Sequence, residues 1–263
     1  ELNNFQASLK SFREFEKKSK SEELYGLLQY HYNLGYTLFK MKDYFLSLKA
    51  FEKVIESKEY YSNGKLRDAF LRLGDANFGL GEFWPAMENY NESMVLSPSE
   101  SDYALYQKSI CYGFVDRNIK KISTLEKLID RHPDSPFLDD SYFELGVTHT
   151  TIGSFETAIE TYEKLVSEFP QSPYIPRALL NKGLILYNQE KLLDSQELLK
   201  NIVVRFPKDG VAKQALVTLK EISIDLDNVP EFTIWLKTLK IDSYTDSELE
   251  RTAFAAAEKQ FLS

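Results

Sequence analysis

The chain has a single cysteine, Cys111, among its 263 residues, which excludes an internal disulfide framework and a zinc site built from cysteines. Its three histidines are scattered along the sequence and show no metal-binding spacing. No apolar run approaches the roughly 18 residues that a membrane-spanning helix requires. Only 11 glycines and 9 prolines are present, which argues against long loops. We therefore predict that the chain is not an enzyme and holds no cofactor or metal.

Basic residues are in the minority, since 32 lysines and arginines stand against 40 acidic residues and give a net charge of -8. Binding to nucleic acid needs a basic stripe that faces the phosphates, so we exclude nucleic acid as a partner. The hydrophobic content of 43%, with 16 tyrosines and 18 phenylalanines, is enough for a continuous core. The composition therefore favours a folded protein with a continuous core and a partner other than nucleic acid.

Proline recurs at a fixed interval, because Pro133, Pro170 and Pro207 are each 37 residues apart. A glycine follows the first two prolines after 13 residues, at Gly146 and Gly183. Self-similarity with this period is the signature of a repeat solenoid. Such a fold builds extended surfaces rather than closed pockets, so it predicts a binding scaffold.

Amphipathic segments lie in pairs along the chain, and each pair ends near a proline or another turn residue. We expect one array over residues 1–263, made of about six helix pairs with incomplete repeats at both ends and cut from a longer chain. Phe5, Phe12 and Phe15, with Ala253, Ala257 and Phe261, should then be partly exposed or covered by another molecule. Helices are expected near 22–41, 43–57, 66–80, 82–96, 101–115, 117–131, 138–152, 154–168, 175–189, 191–205, 211–226 and 229–240, with two more near 4–18 and 246–262.

One stretch carries a specific resemblance: Leu73-Gly74-Asp75-Ala76, Gly81-Glu82-Phe83, Ala86, Tyr90 and Pro98. It resembles the tetratricopeptide repeat, a unit of two antiparallel helices of about 34 residues. The resemblance implies an all-α fold, a right-handed α-solenoid of antiparallel helix pairs. In the preceding and later units Ser47 and Ser195 replace the usual alanine. Lys121 occupies the same small-residue position, where we expect a looser contact between the helices.

In the family that this chain resembles, the first helix of each pair lines a concave groove. The resemblance places ten residues of this chain in a partner-binding groove: Tyr32, Tyr36, Phe39, Asp68, Leu71, Asp75, Phe78, Tyr103, Tyr106 and Phe143. The acidic members would select a partner with basic or amide groups. The alternative for Tyr32, Tyr36 and Tyr106 is that they pack between successive helices. The positions used by relatives that grip carboxylate tails hold no cation, so that binding mode is not expected.

Two turns, Phe169-Pro170-Gln171-Ser172-Pro173-Tyr174 and His132-Pro133-Asp134-Ser135-Pro136-Phe137, are similar to those of bacterial envelope tetratricopeptide proteins. That family includes the Tol-Pal-associated coordinator and the outer-membrane assembly lipoproteins. The similarity implies a periplasmic or outer-membrane-associated scaffold in a larger envelope assembly, and the alternative is a cytoplasmic protein. Two other functions stay open: a structural spacer in a larger repeat protein, and a binding region attached to an enzyme module outside this segment.

Overall fold

The structure, a computed structural model, describes residues 24–239 together with residues 6, 7, 10, 11 and 14. Residues 24–239 contain helices and turns and no strand. The helices are α1 (Leu24–Lys40), α2 (Tyr44–Glu56), α3 (Asn63–Gly79), α4 (Phe83–Leu96), α5 (Asp102–Phe114), α6 (Asn118–Arg131), α7 (Leu138–Thr151), α8 (Phe155–Glu168), α9 (Ile175–Asn188), α10 (Leu192–Arg205), α11 (Gly210–Asp225) and α12 (Val229–Thr238). Single turns of 3-10 helix lie at Lys58–Tyr60 and Pro98–Glu100. The described chain is therefore all-α and is built as a helical-repeat solenoid.

From the end of α1 onward, the predicted helix ends agree with the observed ones to within two residues, apart from the start of α3. This helix begins at Asn63 rather than near residue 66, because the hydroxyl of Ser62 caps it by accepting a hydrogen bond from the amide of Lys65. The predicted helix near 246–262 and most of the one near 4–18 lie outside the described residues. The predicted exposure at the two ends concerns residues that also lie there: Phe5, Phe12, Phe15, Ala253, Ala257 and Phe261.

The two helices of a pair are joined by the same three-residue turn in all six described pairs. Its middle residue has a left-handed backbone, and the positions are Lys42, Gly81, Asp116, Gly153, Glu190 and Asp227. The next amide donates to a carbonyl five residues back, for example Asp43 to Leu38 at 2.9 Å and Lys191 to Leu186 at 3.0 Å. This bond satisfies a carbonyl that the helix end leaves free. The backbone therefore fixes the turn even where glycine is absent.

The first helix of a pair presents a glycine to a large side chain of the second. A Cβ added at Gly74 would lie 2.4 Å from the ring of Tyr90, and one at Gly146 would lie 2.4 Å from the ring of Tyr162. Both rings are almost completely buried. Equivalent contacts join Gly35 to Phe51 and Gly183 to Leu199. The absence of a side chain on one helix thus makes room for the main core residue of its partner.

Where serine replaces the usual alanine, its hydroxyl has a specific partner. Ser47 donates to the carbonyl of Gly35 and Ser195 to the carbonyl of Gly183, each at 2.8 Å. Lys121, the third exception, is 8% exposed. A Cβ built at Gly113 on the facing helix would lie 3.4 Å from Cδ of Lys121, so the glycine leaves room for the lysine stem. Gly113, which lies one helical turn after Ser109 on α5, therefore makes room for the side chain of Lys121.

The helices form two compact units, Glu1–Ser141 and Tyr142–Ser263. The core of the first unit is built around Phe51, Val54, Leu73, Met87 and Tyr90. The core of the second unit joins two clusters that share the same kinds of residue: Phe143, Tyr162, Leu165 and Ile185 in one, and Leu199, Ile202, Leu219 and Phe232 in the other. Each unit therefore has its own apolar core. The single array over residues 1–263 stays a prediction.

Candidate interaction face

Two tyrosines of α1 are tied to α3 by one carboxylate. The hydroxyls of Tyr32 and Tyr36 donate to Oδ2 of Asp68 at 2.6 Å and 2.7 Å. The two rings lie 5.3 Å apart and both contact Phe51 edge-on. Tyr32, Tyr36 and Asp68 were predicted from their register positions to share one face, and the structure brings them together. Their hydroxyls are engaged inside the protein, and the rings stay partly exposed.

A second carboxylate on α3 connects three helices. Oδ1 of Asp75 accepts hydrogen bonds from Tyr90 of α4 at 2.9 Å and from Tyr103 of α5 at 2.7 Å. Its other oxygen accepts from the guanidinium of Arg72. Nε of Arg72 also donates to the hydroxyl of Tyr36 at 3.2 Å. We call the whole set the carboxylate–tyrosine network: Tyr32, Tyr36, Asp68, Arg72, Asp75, Tyr90 and Tyr103.

The guanidinium of Arg72 lies between the rings of two tyrosines. Its central carbon is 5.6 Å from the ring centroid of Tyr36 and 6.0 Å from that of Tyr103. Cation–π attraction therefore adds to the ion pair with Asp75. A longer contact of 3.5 Å reaches Asp68. One arginine thus links the two carboxylates and holds the aromatic face of α1, α3 and α5 together.

Burial sets the protonation of this network. It raises the pKa of Tyr32 and of Tyr36 above the ordinary value, and the hydrogen bonds to Asp68 raise both further. The pKa of Tyr103 is raised by burial and by the charge of Asp75. Burial also raises the pKa of Asp75, against the opposing effect of Arg72. Burial alone would lower the pKa of Arg72, but the nearby carboxylates raise it. The tyrosines therefore act as neutral donors to Asp68 and Asp75, and Arg72 lies within ion-pair distance of both carboxylates.

We expect the protein to lose stability in alkali. Because the pKa values of these tyrosines are higher in the folded state than the unfolded value of about 10, folding favours their neutral form. The stabilisation is complete below about pH 10 and is lost as the pH rises through the folded values. Urea unfolding at about pH 8 and about pH 11 measures the change, and the double variant Tyr32→Phe, Tyr36→Phe should show a smaller drop. Ionisation of all tyrosines at the ordinary pKa in the folded protein would contradict this expectation.

The other predicted groove residues of the first unit lie in aromatic contacts. Phe39 contacts Tyr44 at 5.5 Å between ring centroids, and Phe78 contacts both Phe83 and Phe114 at 5.6 Å. Tyr106 stacks on Phe137 with centroids 5.4 Å apart, and its hydroxyl lies 3.5 Å from Asp140. Leu71 is buried, with 7% exposure. Phe143 lies in the second unit, where it is also 7% exposed and stacks on Tyr174.

One predicted groove residue, Asp75, is almost completely buried. Asp75 is 8% exposed, and both its oxygens already accept hydrogen bonds. Arg72 and Tyr90 complete its surroundings, and neither was among the predicted groove residues. The spacing of Asp68, Arg72 and Asp75 places opposite charges three and four residues apart on one helix, which is the signal that could have found Arg72. Asp75 therefore contributes to the face indirectly, because its hydrogen bonds hold Arg72, Tyr90 and Tyr103 in place.

Two side chains of potentially reactive type in the described part of the chain, Cys111 and His132, both lie in structural contacts. No group of histidine, cysteine and acidic side chains among the described residues is placed to hold a metal ion. Cys111 is buried, and burial raises the pKa of its thiol to about 12, which disfavours the nucleophilic thiolate. Nε2 of His132 lies 3.0 Å from the hydroxyl of Ser101, in a contact at a helix end. Within the described part of the chain, none of the helices combines the length and apolarity that a membrane span requires.

The repeated helix pairs define a helical-repeat protein. Two segments of the chain, residues 28–61 and 140–172, match family models of the tetratricopeptide repeat. These matches support the resemblance read from the sequence. They cover most of the pair α1–α2 and most of the pair α7–α8.

Solved structures share the fold at low sequence identity. The crystal structure of MamA is 22% identical, covers 69% of this chain and 93% of its own, and has a TM-score of 0.59. YrrB, described as a TPR protein with an unusual peptide-binding site, is 14% identical over 78% of this chain and 96% of its own, with a TM-score of 0.56. A tetratricopeptide repeat protein from Parabacteroides merdae is 12% identical over 97% of this chain and 93% of its own, with a TM-score of 0.57. No curated protein matches the chain.

Proposed function

We propose that the chain is a non-catalytic interaction scaffold that binds a protein or peptide partner on the face formed by α1, α3 and α5. The observation that carries this proposal is the set of partly exposed rings that the carboxylate–tyrosine network holds in place. Aromatic rings supply a large contact area with few rotatable bonds. Rings that are already fixed before binding lose little further entropy, so a larger part of the contact energy appears as affinity.

The network also indicates which parts of the face a partner would touch. The hydroxyls of Tyr32, Tyr36 and Tyr103 donate to carboxylates inside the protein. A partner therefore meets ring carbons rather than free phenol groups. Asp68 keeps about a fifth of its side chain exposed, while Asp75 is almost covered. A basic or amide group of the partner would thus find Asp68 more accessible than Asp75.

The competing function is a structural spacer, and a specific observation favours it. The polar groups of Asp75, Tyr90 and Tyr103 satisfy one another without a ligand, so the network stabilises the array even when nothing is bound. The envelope location, which rests on the similarity of the two proline-containing turns, stays part of the proposal. Membership of a larger envelope assembly belongs to the same proposal, as does the attachment of an enzyme module outside this segment.

Loss of two rings should weaken peptide binding while the protein stays folded. The probe is a set of peptides selected from a displayed random 12-residue library against the whole chain. We expect the double variant Tyr36→Ala, Tyr106→Ala to lower their affinity by about tenfold or more, because hot-spot aromatics each contribute about 1–2 kcal/mol. Fluorescence anisotropy measures the affinity, and far-UV circular dichroism checks the fold.

Two controls separate a contact surface from a core. The double variant Phe45→Ala, Trp84→Ala removes aromatics that are 58% and 54% exposed on the second helices of their pairs, and it should leave binding unchanged. Tyr36→Phe keeps the ring and should retain binding. If the alanine variant loses cooperative unfolding, or binds as well as the parent protein, the spacer function is favoured instead.

A further inference from the structure

An open cleft of about 580 Å³ lies over α9 in the second unit, between α8 and α10. The cleft is lined by apolar side chains and by six charged ones that balance: Lys182, Lys191 and Arg205 against Glu163, Asp194 and Glu197. The amine of Lys182 donates to Glu163 at 2.6 Å. The charged side chains of this cleft therefore sum to zero, and Lys182 is paired with Glu163.

The first unit has the equivalent surface over α5, between α4 and α6. Lys108 and Lys182 are 74 residues apart, which is two periods of 37. Asn91 corresponds to Glu163, since each directly follows the tyrosine that packs on a glycine. The amine of Lys108 donates to Oδ1 of Asn91 at 2.7 Å. The same contact is thus present in both units, but in the first unit the lysine meets the amide of Asn91 instead of a carboxylate.

Two further positions that are acidic in the second unit are basic or neutral in the first. Lys120 stands where the second unit has Asp194, and Ser123 stands where it has Glu197. The positions equivalent to the lining of the neutral cleft carry five cations and no acidic residue in the first unit: Lys108, Arg117, Lys120, Lys127 and Arg131. We call this surface the α5 groove. Its charge is opposite to the net charge of -8 of the whole chain.

Contacts within the α5 groove bring the cations together. The amines of Lys108 and Lys120 lie 5.7 Å and 6.0 Å from the ring centroid of Tyr112. Burial lowers the pKa of Lys108, and the charges of Lys127 and Lys120 lower it further. Across residues 24–239, no carboxylate lies within ion-pair distance of these three lysines. These three lysines therefore have no ion-pair partner within the described part of the chain.

We propose that the α5 groove binds an acidic polypeptide segment of a partner protein. Charge complementarity selects the ligand, because a segment rich in aspartate and glutamate supplies the carboxylates that the second unit carries in its own sequence. Lys120 and Lys127 are two helical turns apart, about 10 Å along α6. A single phosphate group cannot reach both, whereas side chains on one face of an extended peptide repeat about every 7 Å. The excess of acidic residues in the whole chain disfavours nucleic acid.

The probe is a labelled peptide of about ten glutamates, added to the whole chain at low salt because screening is strong above about 0.1 M. We expect measurable binding that weakens as salt is added. Lys120→Asp, which installs the residue found at Asp194, should lower the affinity by about tenfold. Lys213→Asp is the matched control, since it changes the net charge equally at an exposed site on α11. This control should change the affinity less than about twofold.

A second variant keeps the test decisive if the first fails to fold. Asn91→Glu gives Lys108 the partner that Lys182 has, so it should weaken peptide binding while the melting temperature is kept or raised. Equal effects of Lys120→Asp and Lys213→Asp would overturn the proposal, as would an absence of binding to the parent protein. An oligonucleotide of about ten phosphates that binds more tightly than the peptide would assign the groove to nucleic acid instead.

Discussion

Asp75→Ala should lower the free energy of unfolding by about 3 kcal/mol, because removal of one member of a buried ion pair leaves Arg72 with only its longer, 3.5 Å ion-pair contact to Asp68. The carboxylate is 8% exposed and is the acceptor for Tyr90, Tyr103 and Arg72. Its loss leaves two phenol groups and a guanidinium without that partner in a poorly hydrated site. Urea unfolding followed by circular dichroism measures the change.

Two comparisons show whether the ion pair accounts for this loss. Asp68→Ala removes the more exposed carboxylate of the same helix and should cost about 1 kcal/mol, since solvent replaces part of what is lost. The double variant Arg72→Met, Asp75→Leu removes both charges and should recover about half or more of the stability that Asp75→Ala loses. A cost for Asp75→Ala no greater than that for Asp68→Ala would show that the burial of Asp75 has little energetic weight.

Gly74→Ala should lower the free energy of unfolding by about 2 kcal/mol, although alanine is the better helix former by about 1 kcal/mol. The added Cβ would lie 2.4 Å from the ring of Tyr90, which is completely buried and cannot move aside without disturbing the core. Because each repeat contacts mainly its neighbours, the loss should be concentrated in α3 and α4. Hydrogen exchange resolved by helix measures this local effect, and urea unfolding measures the total.

Gly64→Ala is the matched control within the same helix. No heavy atom lies within 4 Å of a Cβ built there. This change should leave stability unchanged or raise it by up to about 1 kcal/mol through helix propensity. If the two glycine variants shift stability in the same direction by similar amounts, the close approach of α3 to Tyr90 does not limit stability.

The fold could be predicted from the sequence because the constraints are local and repeated. The 37-residue register gives the helix pairs, and Pro133, Pro170 and Pro207 give the ends of second helices. The start of α3 was missed because a single serine cap, Ser62, decides it. A cap adds one hydrogen bond and leaves the hydrophobic period unchanged, so periodicity does not reveal it.

The candidate face could be predicted only in part. Register positions put Tyr32, Tyr36 and Asp68 on one face, and hydrogen bonds join the three residues in the structure. The register positions did not show that both hydroxyls donate to one carboxylate oxygen. This depends on the distance between α1 and α3, and the bonded residues are 36 and 32 positions apart in the sequence. Arg72 was missed because it lies one residue outside the inward-pointing positions. Binding by the predicted groove residues stays a prediction.

The left-handed turns described above belong to one of two kinds of connection between helices, a kind of constant length within pairs and a kind of variable length between pairs. Connections within a pair have three residues each time, and Lys42, Asp116, Glu190 and Asp227 adopt the same backbone as the glycines. Connections between pairs differ in length and content, from the four residues at 206–209 to the six at 132–137. Insertions and deletions can therefore accumulate at the ends where one pair passes to the next. A tag or a binding loop grafted into the chain belongs at those connections, where the geometry of a pair does not depend on the number of residues.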